Sequence, residues 1–389
     1  MKPLPGRHLA LAAIVAIALI AVLVLQRATH PKRIDLRLVL GSVDIGTARQ
    51  MIDNDPKLVD EPDAAGVPAL VQAVREDNEP LARLLIDKRA ALDAADHEGI
   101  TPLDAALQHG SRTLSDLLLE RGAHIDTADA RGAGPLHYAA FSGSIASIQE
   151  LVDRGAKRDA RDKAGKTPLH YAAMNGSEDA IDWLLAHGSP VDSTDEAGGT
   201  PLHLAAQAGK SDAIRLLVQK GADKNHKDRF GTTPLHRAAL AENVEAVETL
   251  LTCGADVTVR DNDGMTPIYV AAYGGDARTV TLLLTAGAHS RDKDHFGTTP
   301  LHRAAYADHP EIILLLIKHG ADIEAQDKEG MTPLHKAVQK RHFEAARALL
   351  SQGARITTAD KEGRTPLRIA EINHDEAMIA LLKAHMQSK

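Results

Sequence analysis

The sequence predicts an all-α solenoid, in which short helix-turn-helix units stack side by side, for most of the chain. Glycine recurs every 33 residues from Gly66 onward, and self-similarity at such a fixed period indicates a repeat architecture. The decapeptide FGTTPLHRAA occurs twice, at Phe230–Ala239 and at Phe296–Ala305, which are two periods apart. Aromatic residues make up only 3% of the chain and apolar residues 44%, so alanine and leucine must provide most of the core, which suits closely packed helices.

The N-terminal segment differs in composition from the repeats. Residues 1–8 are a short basic tail, and residues 9–25 are a run of 17 apolar residues without a polar break. At about 1.5 Å per residue this run spans about 26 Å, close to the roughly 30 Å hydrocarbon core of a bilayer. The run is longer than the apolar region of a cleaved signal peptide, and no small-x-small cleavage pattern follows it. We therefore expect one transmembrane helix, an uncleaved signal anchor at 9–26, followed by a linker at 27–34.

The charges beside this run leave its orientation open. Arg27, Lys32, Arg33 and Arg37 follow the run and favour a cytoplasmic location for the large C-terminal part. A short basic tail before a signal-like run favours the opposite, with the C-terminal part exported to the periplasmic side. The sequence therefore predicts a single-pass membrane protein with either face possible.

Each 33-residue unit begins with a turn and a first helix. In the unit at Asp162, the aspartate and Gly165 suit a tight turn, because Asp bonds nearby backbone and Gly accepts positive φ. Thr167 suits the N-cap position, and Pro168 suits the first helical position, where its missing N–H costs nothing.

A second helix completes the unit. Ile181, Leu184 and Leu185 form its apolar stripe, and Gly188 suits the left-handed position that ends a helix. A unit this small cannot bury its own apolar face, so neighbouring units must stack and share one core.

The pattern D-x-x-G-x-T-P-L-H-x-A-A at a 33-residue step resembles the ankyrin repeat, over about 325 of the 389 residues. The resemblance implies paired antiparallel helices with hairpin loops that project as fingers along one edge, and a protein-binding function without catalysis. We predict an ankyrin domain at 66–389, with about ten repeats that start near residues 66, 99, 132, 165, 198, 231, 264, 297, 330 and 363.

The segment at 35–65 matches the pattern weakly. We predict that it is a degenerate N-terminal capping repeat, with LRLVLGS as a first helix and IGTARQMIDN as a second.

Histidines and aspartates recur at the same step, but neither ladder predicts a metal site or a catalytic site. Equivalent residues of stacked helices lie about 8–10 Å apart, whereas zinc needs donor atoms about 2 Å from one centre. The resemblance implies that each histidine bonds backbone and the Thr of its motif. Aspartates at the start of successive loops indicate turn chemistry, because a catalytic pair needs two carboxyls in one cleft.

Composition and motifs exclude several other function classes. The net charge of −8 argues against a nucleic-acid partner, which requires a basic face. The single cysteine, Cys253, excludes an intramolecular disulfide. The sequence contains no Gly-rich phosphate loop and no nucleophile elbow. We therefore expect a monomeric array that is not an enzyme, with no metal, no cofactor and no small-molecule substrate.

Residues that the repeat pattern does not demand are the candidates for partner binding. In ankyrin proteins, partners usually contact the finger tips and the residues just after the Ala-Ala pair. Exposed aromatic side chains in such places are typical of binding hot spots, and the alternative is that they pack against a neighbouring finger. The predicted partner-binding residues are Phe141, Met174, Phe230, Leu240, Met265, Tyr273, Phe296, Tyr306, Arg237 and Arg303.

These observations predict a membrane-anchored, non-catalytic protein that binds a membrane-proximal protein partner. The alternative is a specific inhibitor, protector or immunity-type regulator of one enzyme or toxin.

Overall fold

The computed structural model describes residues 45–63 and 65–387. These residues form 21 α-helices and one short 3₁₀-helix, and no strand occurs among them. The predicted transmembrane helix at 9–26 and the segment LRLVLGS lie outside the described residues. Within the described ranges, no helix is long and apolar enough to span a bilayer.

The chain divides into two compact units, the first ending at Lys157 and the second beginning at Arg158. A 3₁₀-helix at Pro56–Val59 follows the first helix of the first unit. The α-helices of the first unit are α1 (Ile45–Asn54), α2 (Ala69–Arg75), α3 (Glu79–Asp87), α4 (Pro102–Gln108), α5 (Arg112–Glu120), α6 (Pro135–Ser142) and α7 (Ile145–Asp153).

The second unit continues the same alternation of a first helix and a second helix. Its helices are α8 (Pro168–Asn175), α9 (Glu178–Ala186), α10 (Pro201–Gln207), α11 (Ser211–Gln219), α12 (Pro234–Leu240), α13 (Val244–Thr252), α14 (Pro267–Gly274), α15 (Ala277–Thr285), α16 (Pro300–Tyr306), α17 (Pro310–Lys318), α18 (Pro333–Lys340), α19 (Phe343–Ser351), α20 (Pro366–Ile372) and α21 (Glu376–Gln387).

A Thr-Pro pair fixes where most first helices begin; the exceptions are α2, which follows Pro68, and α6, whose N-cap is Gly134. In α16, Pro300 occupies the first turn and Thr299 is the N-cap, whose hydroxyl accepts a hydrogen bond from the backbone N–H of His302. Proline is favoured here because the first N–H groups of a helix have no intrahelical partner. The predicted capping roles of these two residue types are confirmed.

The core of the second unit lies between stacked helix pairs. In α12, Leu235, Ala238 and Ala239 are buried, and Val247 and Leu250 of α13 are buried with them. First helices contact the first helices of neighbouring repeats, and α12 also contacts its own second helix, α13. The small alanine side chains permit this close approach, so the low aromatic content is compatible with a dense core.

The turn aspartates build the fingers. Oδ1 of Asp228 accepts hydrogen bonds from the backbone N–H groups of Phe230 and Thr232, both at 2.9 Å. The N–H of Asn262 in the next finger donates to the carbonyl oxygen of Phe230 at 3.0 Å. The aspartate ladder is therefore turn chemistry, as predicted, and adjacent fingers are joined by a backbone hydrogen bond.

Candidate functional site

A groove of about 820 Å³ opens on the second unit, between the finger turns and the first helices. We call the surface formed by these fifteen residues the groove: Gln207, Asp228, Phe230, Thr232, His236, Arg237, Leu240, Ala241, Asp261, Met265, Tyr269, Val270, Tyr273, Arg303 and Tyr306. Its residues outside the finger turns come from the first helices α10, α12, α14 and α16. Ala241, which directly follows α12, completes the lining. The groove therefore extends across four consecutive repeats.

The structure places seven of the ten predicted partner-binding residues in this groove. They are Phe230, Leu240, Met265, Tyr273, Tyr306, Arg237 and Arg303. Phe230, Leu240 and Tyr273 are exposed, with 64%, 59% and 48% of their surfaces accessible. These side chains do not pack into the repeat core, so the groove presents apolar surface to solvent.

The other three predicted residues lie elsewhere. Phe296 is 64% exposed, like Phe230, but does not line the groove. Met174 is half-buried near the end of α8, and Phe141 is half-buried in α6 of the first unit. The groove does not bring these three residues together with the other seven.

One side-chain position leaves a turn aspartate of the groove without a paired side chain. In several repeats the residue after the histidine position reaches back to the turn aspartate of its own repeat, as Arg237 does to Oδ2 of Asp228 at 2.7 Å. Lys336 reaches Oδ2 of Asp327 at the same distance. Val270 occupies this position in the repeat that follows that of Arg237, and it is too short and too apolar to pair with Asp261. Within the described residues, Asp261 therefore lacks the side-chain partner that Asp228 and Asp327 have.

A departure from the repeat pattern lies beside Val270. Tyr269 replaces the histidine of its repeat, and its hydroxyl donates to Oδ2 of Asp294 in the next turn. Burial raises the pKa of Tyr269 to about 12, and the hydrogen bond to Asp294 acts in the same direction, so the phenol keeps its proton. Burial alone would raise the pKa of Asp294, but hydrogen bonds from Thr298, Tyr269 and the turn outweigh it, and the pKa falls below its usual value.

This tyrosine changes the partner of Arg303. Its Nε donates to the Tyr269 hydroxyl oxygen at 2.8 Å, and its guanidinium carbon lies 5.0 Å from the ring centroid of Tyr269 and 5.6 Å from that of Tyr273. Both rings are within the range of a cation–π interaction. Arg237, in the identical decapeptide, pairs instead with its own turn aspartate, Asp228.

Positive charge also surrounds Tyr306, where the groove meets α18. Nζ of Lys340 lies 4.4 Å from the ring centroid of Tyr306. The hydrogen bond and the charge of Lys340 lower the pKa of Tyr306, with smaller contributions from Arg303 and Lys336.

Comparison with known proteins identifies the scaffold. A family model described as ankyrin repeats, three copies, matches the chain at residues 40–129, 125–195, 181–261, 235–327 and 320–389. The chain belongs to the ankyrin repeat family. No curated protein matches it. Ankyrin repeats are in general non-catalytic protein–protein interaction modules, and no catalytic family is indicated.

The histidines of these ankyrin repeats hold adjacent repeats together. Nδ1 of His236 lies 2.9 Å from the hydroxyl oxygen of Thr233, and its Nε2 lies 3.1 Å from the carbonyl oxygen of Met265 in the next finger. His170, His203, His302 and His335 make equivalent contacts. Both ring nitrogens are engaged, which confirms the structural role that the resemblance implied. No group of three or more His, Cys, Asp or Glu side chains within 45–63 and 65–387 is placed to hold a metal ion.

Sequence reasoning did not include Asp261, Tyr269 and Val270 among the partner-binding residues, although all three line the groove. The available signal was a departure from the ankyrin pattern at one position, Tyr269 in place of histidine, beside Val270 at a variable position of the pattern. A search restricted to exposed aromatic positions does not detect it, because Tyr269 is buried and Val270 is aliphatic.

Proposed function

We propose that this ankyrin repeat protein is a membrane-anchored, non-catalytic binding protein that holds a protein partner in the groove. The observation that carries the proposal is the groove itself, which joins exposed apolar side chains to two arginines across four repeats. Aromatic and arginine side chains are enriched among residues that dominate binding free energy.

The exposed side chains of the groove support a protein partner. Phe230, Leu240 and Tyr273 carry apolar surface that gains free energy when it is removed from water, at about 25 cal/mol per Å². The side chains beside them, Arg237 and Arg303, are held by hydrogen bonds to neighbouring side chains. Part of the groove is therefore ordered before binding, which lowers the entropic cost of association.

The N-terminal sequence supports the membrane part of the proposal. The apolar run at 9–25 has the length and flanks of a single-pass anchor. The eight residues at 27–34 span at most about 28 Å, so the partner is expected near the bilayer surface. The ankyrin repeats occupy either the cytoplasmic or the periplasmic face.

Two measurements test the anchor and its orientation. We expect the full chain to remain in the membrane fraction after alkaline carbonate extraction, and a variant with several leucines of the run replaced by aspartate to lose this association. Reporter fusions at the C-terminus, one active only inside and one only outside the cytoplasm, assign the face. Extraction of the unaltered chain by carbonate would contradict an anchor.

The two copies of FGTTPLHRAA provide a matched test of the groove. Phe230 and Phe296 share their sequence context and their 64% exposure, but only Phe230 lines the groove. Random peptides displayed on phage are selected on the full chain, and the affinity of each selected peptide is then measured on Phe230→Ala and Phe296→Ala. We expect a loss of about tenfold or more for Phe230→Ala and little change for Phe296→Ala.

Equal losses for the two variants, or no selected peptide that depends on Phe230, would contradict binding in the groove.

A further inference from the structure

Two charged side chains of opposite sign line the groove, and each has no ion pair among the residues that the structure describes. They are Asp261 and Arg303, in adjacent repeats. In the flanking repeats, the corresponding aspartates are paired: Asp228 with Arg237, and Asp327 with Lys336.

Asp261 has one carboxylate oxygen available. Its Oδ1 accepts hydrogen bonds from the backbone N–H groups of Asp263, at 2.9 Å, and Met265, at 2.8 Å. Its Oδ2 has no hydrogen-bond partner within the described part of the chain, because Val270 stands where Arg237 and Lys336 stand in the flanking repeats. The turn therefore fixes the carboxylate and leaves one oxygen for another molecule.

Arg303 has most of its guanidinium available. Only its Nε is used in a hydrogen bond, to the hydroxyl oxygen of Tyr269. Cation–π contacts with the rings of Tyr269 and Tyr273 orient the guanidinium group. Neither of its terminal nitrogens has a partner among residues 45–63 and 65–387. Its own turn aspartate, Asp294, receives the Tyr269 hydroxyl instead.

The charge pattern of the lining limits what the groove accepts. Asp228 and Arg237 neutralise each other, and Asp261 and Arg303 add one negative and one positive charge at separate places. A dianion such as a phosphate group meets one available arginine and one available carboxylate, so this lining does not favour it. A singly charged planar carboxylate fits a guanidinium by paired hydrogen bonds, and a cationic side chain fits the available oxygen of Asp261.

We propose that the partner segment in the groove presents a carboxylate side chain to Arg303 and a cationic side chain to Asp261. This inference rests on the proposed function, because it names the chemistry of the segment that the groove binds. A buried carboxylate and a half-buried guanidinium without counter-charges cost free energy. A segment that supplies both counter-charges recovers it, while apolar contacts to Phe230 and Tyr273 add affinity.

The test uses the full chain and random peptides displayed on phage. Peptides selected on the unaltered protein are expected to contain both an acidic and a basic residue. Their affinities are expected to fall about tenfold or more in Arg303→Gln and in Asp261→Asn. Lys336→Gln is the matched control, since Lys336 lies outside the groove and pairs with Asp327, and we expect little change in affinity for it.

Val270→Arg tests the same inference without removing a charge. The new arginine stands where Arg237 stands and is expected to pair with Asp261, so the protein keeps its fold and its melting temperature while peptide affinity falls about tenfold or more. A variant that retains both its melting temperature and its peptide affinity would overturn the role of Asp261.

Charge reversal keeps the test independent of any general loss of fold. Selection on Arg303→Glu is expected to yield peptides in which a lysine or arginine replaces the acidic residue. Selected peptides that depend on Phe230 but show no preference for an acidic residue, and no loss in Arg303→Gln, would overturn this inference and leave the proposed function standing. Recovery of no peptide that depends on Phe230 contradicts both.

Discussion

The hydroxyl of Tyr269 donates a hydrogen bond to Oδ2 of Asp294, the aspartate of the next turn. In the repeat two places earlier along the chain, Arg237 holds the corresponding oxygen of Asp228 at 2.7 Å. Arg303 follows a repeat with tyrosine in place of histidine, and it makes a hydrogen bond with a phenol instead of the ion pair that Arg237 makes. The Arg303 guanidinium lines the groove.

Removal of the Tyr269 hydroxyl is expected to destabilise the fold. Tyr269→Phe removes the donor to Asp294 and the acceptor of Arg303 inside a buried cluster, which corresponds to a loss of about 1–3 kcal/mol in the free energy of unfolding. Tyr273→Phe is the matched control, because Tyr273 is exposed and its hydroxyl has no hydrogen-bond partner among the described residues. Denaturant unfolding of both variants checks this, and equal midpoints would contradict it.

Replacement of Tyr269 by the histidine of the repeat pattern is expected to neutralise the charge of Arg303 in the groove. In Tyr269→His the ring nitrogen is expected to reach the Thr298 carbonyl oxygen, as His203 reaches that of Thr232 at 3.0 Å. Asp294 is then available to Arg303, which pairs with it as Arg237 pairs with Asp228. We expect peptide affinity to fall about tenfold while Arg303 is still present, and binding titrations measure it. Unchanged affinity would show that Tyr269 does not control Arg303.

Gly231 is expected to tolerate alanine poorly because two constraints act on it. Its φ is +76°, and a Cβ added there would lie 2.7 Å from the backbone nitrogen of Asn262 in the next finger. Gly363 has a φ of +75° but no atom within 4 Å of an added Cβ. Gly363→Ala should therefore cost about 1 kcal/mol for backbone strain alone, and Gly231→Ala about 1–3 kcal/mol more. Equal unfolding free energies for the two variants would argue against the close approach of the fingers.

Asp104 is expected to weaken the first unit at neutral pH. It occupies a histidine position, it is fully buried, and burial raises its pKa from 3.8 to about 6. Because the folded-state pKa lies above the unfolded value, its contribution is complete below about pH 4 and is lost as the pH rises through about 6. Asp104→Asn is therefore expected to raise the free energy of unfolding at pH 7 by about 1–3 kcal/mol.

Asp129 provides the matched control for this prediction. Burial alone would raise its pKa, but hydrogen bonds from Tyr138, the turn and Arg131 outweigh it, so the pKa is lowered. Asp129→Asn should destabilise the first unit at pH 7, opposite in sign to Asp104→Asn. Unfolding curves at pH 4 and pH 7 for both variants measure the difference, and a shared sign would refute the assignment.

The buried histidines are expected to make the second unit sensitive to acid. Burial lowers the pKa of His170, His203 and His302 from 6.5 to about 4. Since each folded-state pKa lies below the unfolded value, the contribution of the neutral ring is complete above about pH 6.5 and is lost as the pH falls toward 4, by about 3 kcal/mol per ring at most. Unfolding free energies measured across this interval in the Asp104→Asn background test it, and a flat profile would contradict it.

The repeat architecture could be predicted because its signals are local. The turn at Asp228, the cap at Thr299 and the start of α16 at Pro300 each depend on contacts within a few residues, and this local pattern recurs in most repeats. The apolar spacing of each helix likewise depends only on its own sequence. Seven of the ten predicted partner-binding residues line the groove, but Phe141, Met174 and Phe296 occupy the same repeat positions and do not, so position in the repeat alone does not decide which residues line it.

The sequence by itself determined the period, the helices and the turns. Only the tertiary structure decided what the two identical decapeptides do. Phe230 lines the groove and Phe296 does not, and Arg237 is paired while Arg303 is directed toward a tyrosine. The reason is physical: each side chain is surrounded by the preceding repeat, which supplies His203 and Leu204 to one copy and Tyr269 and Val270 to the other.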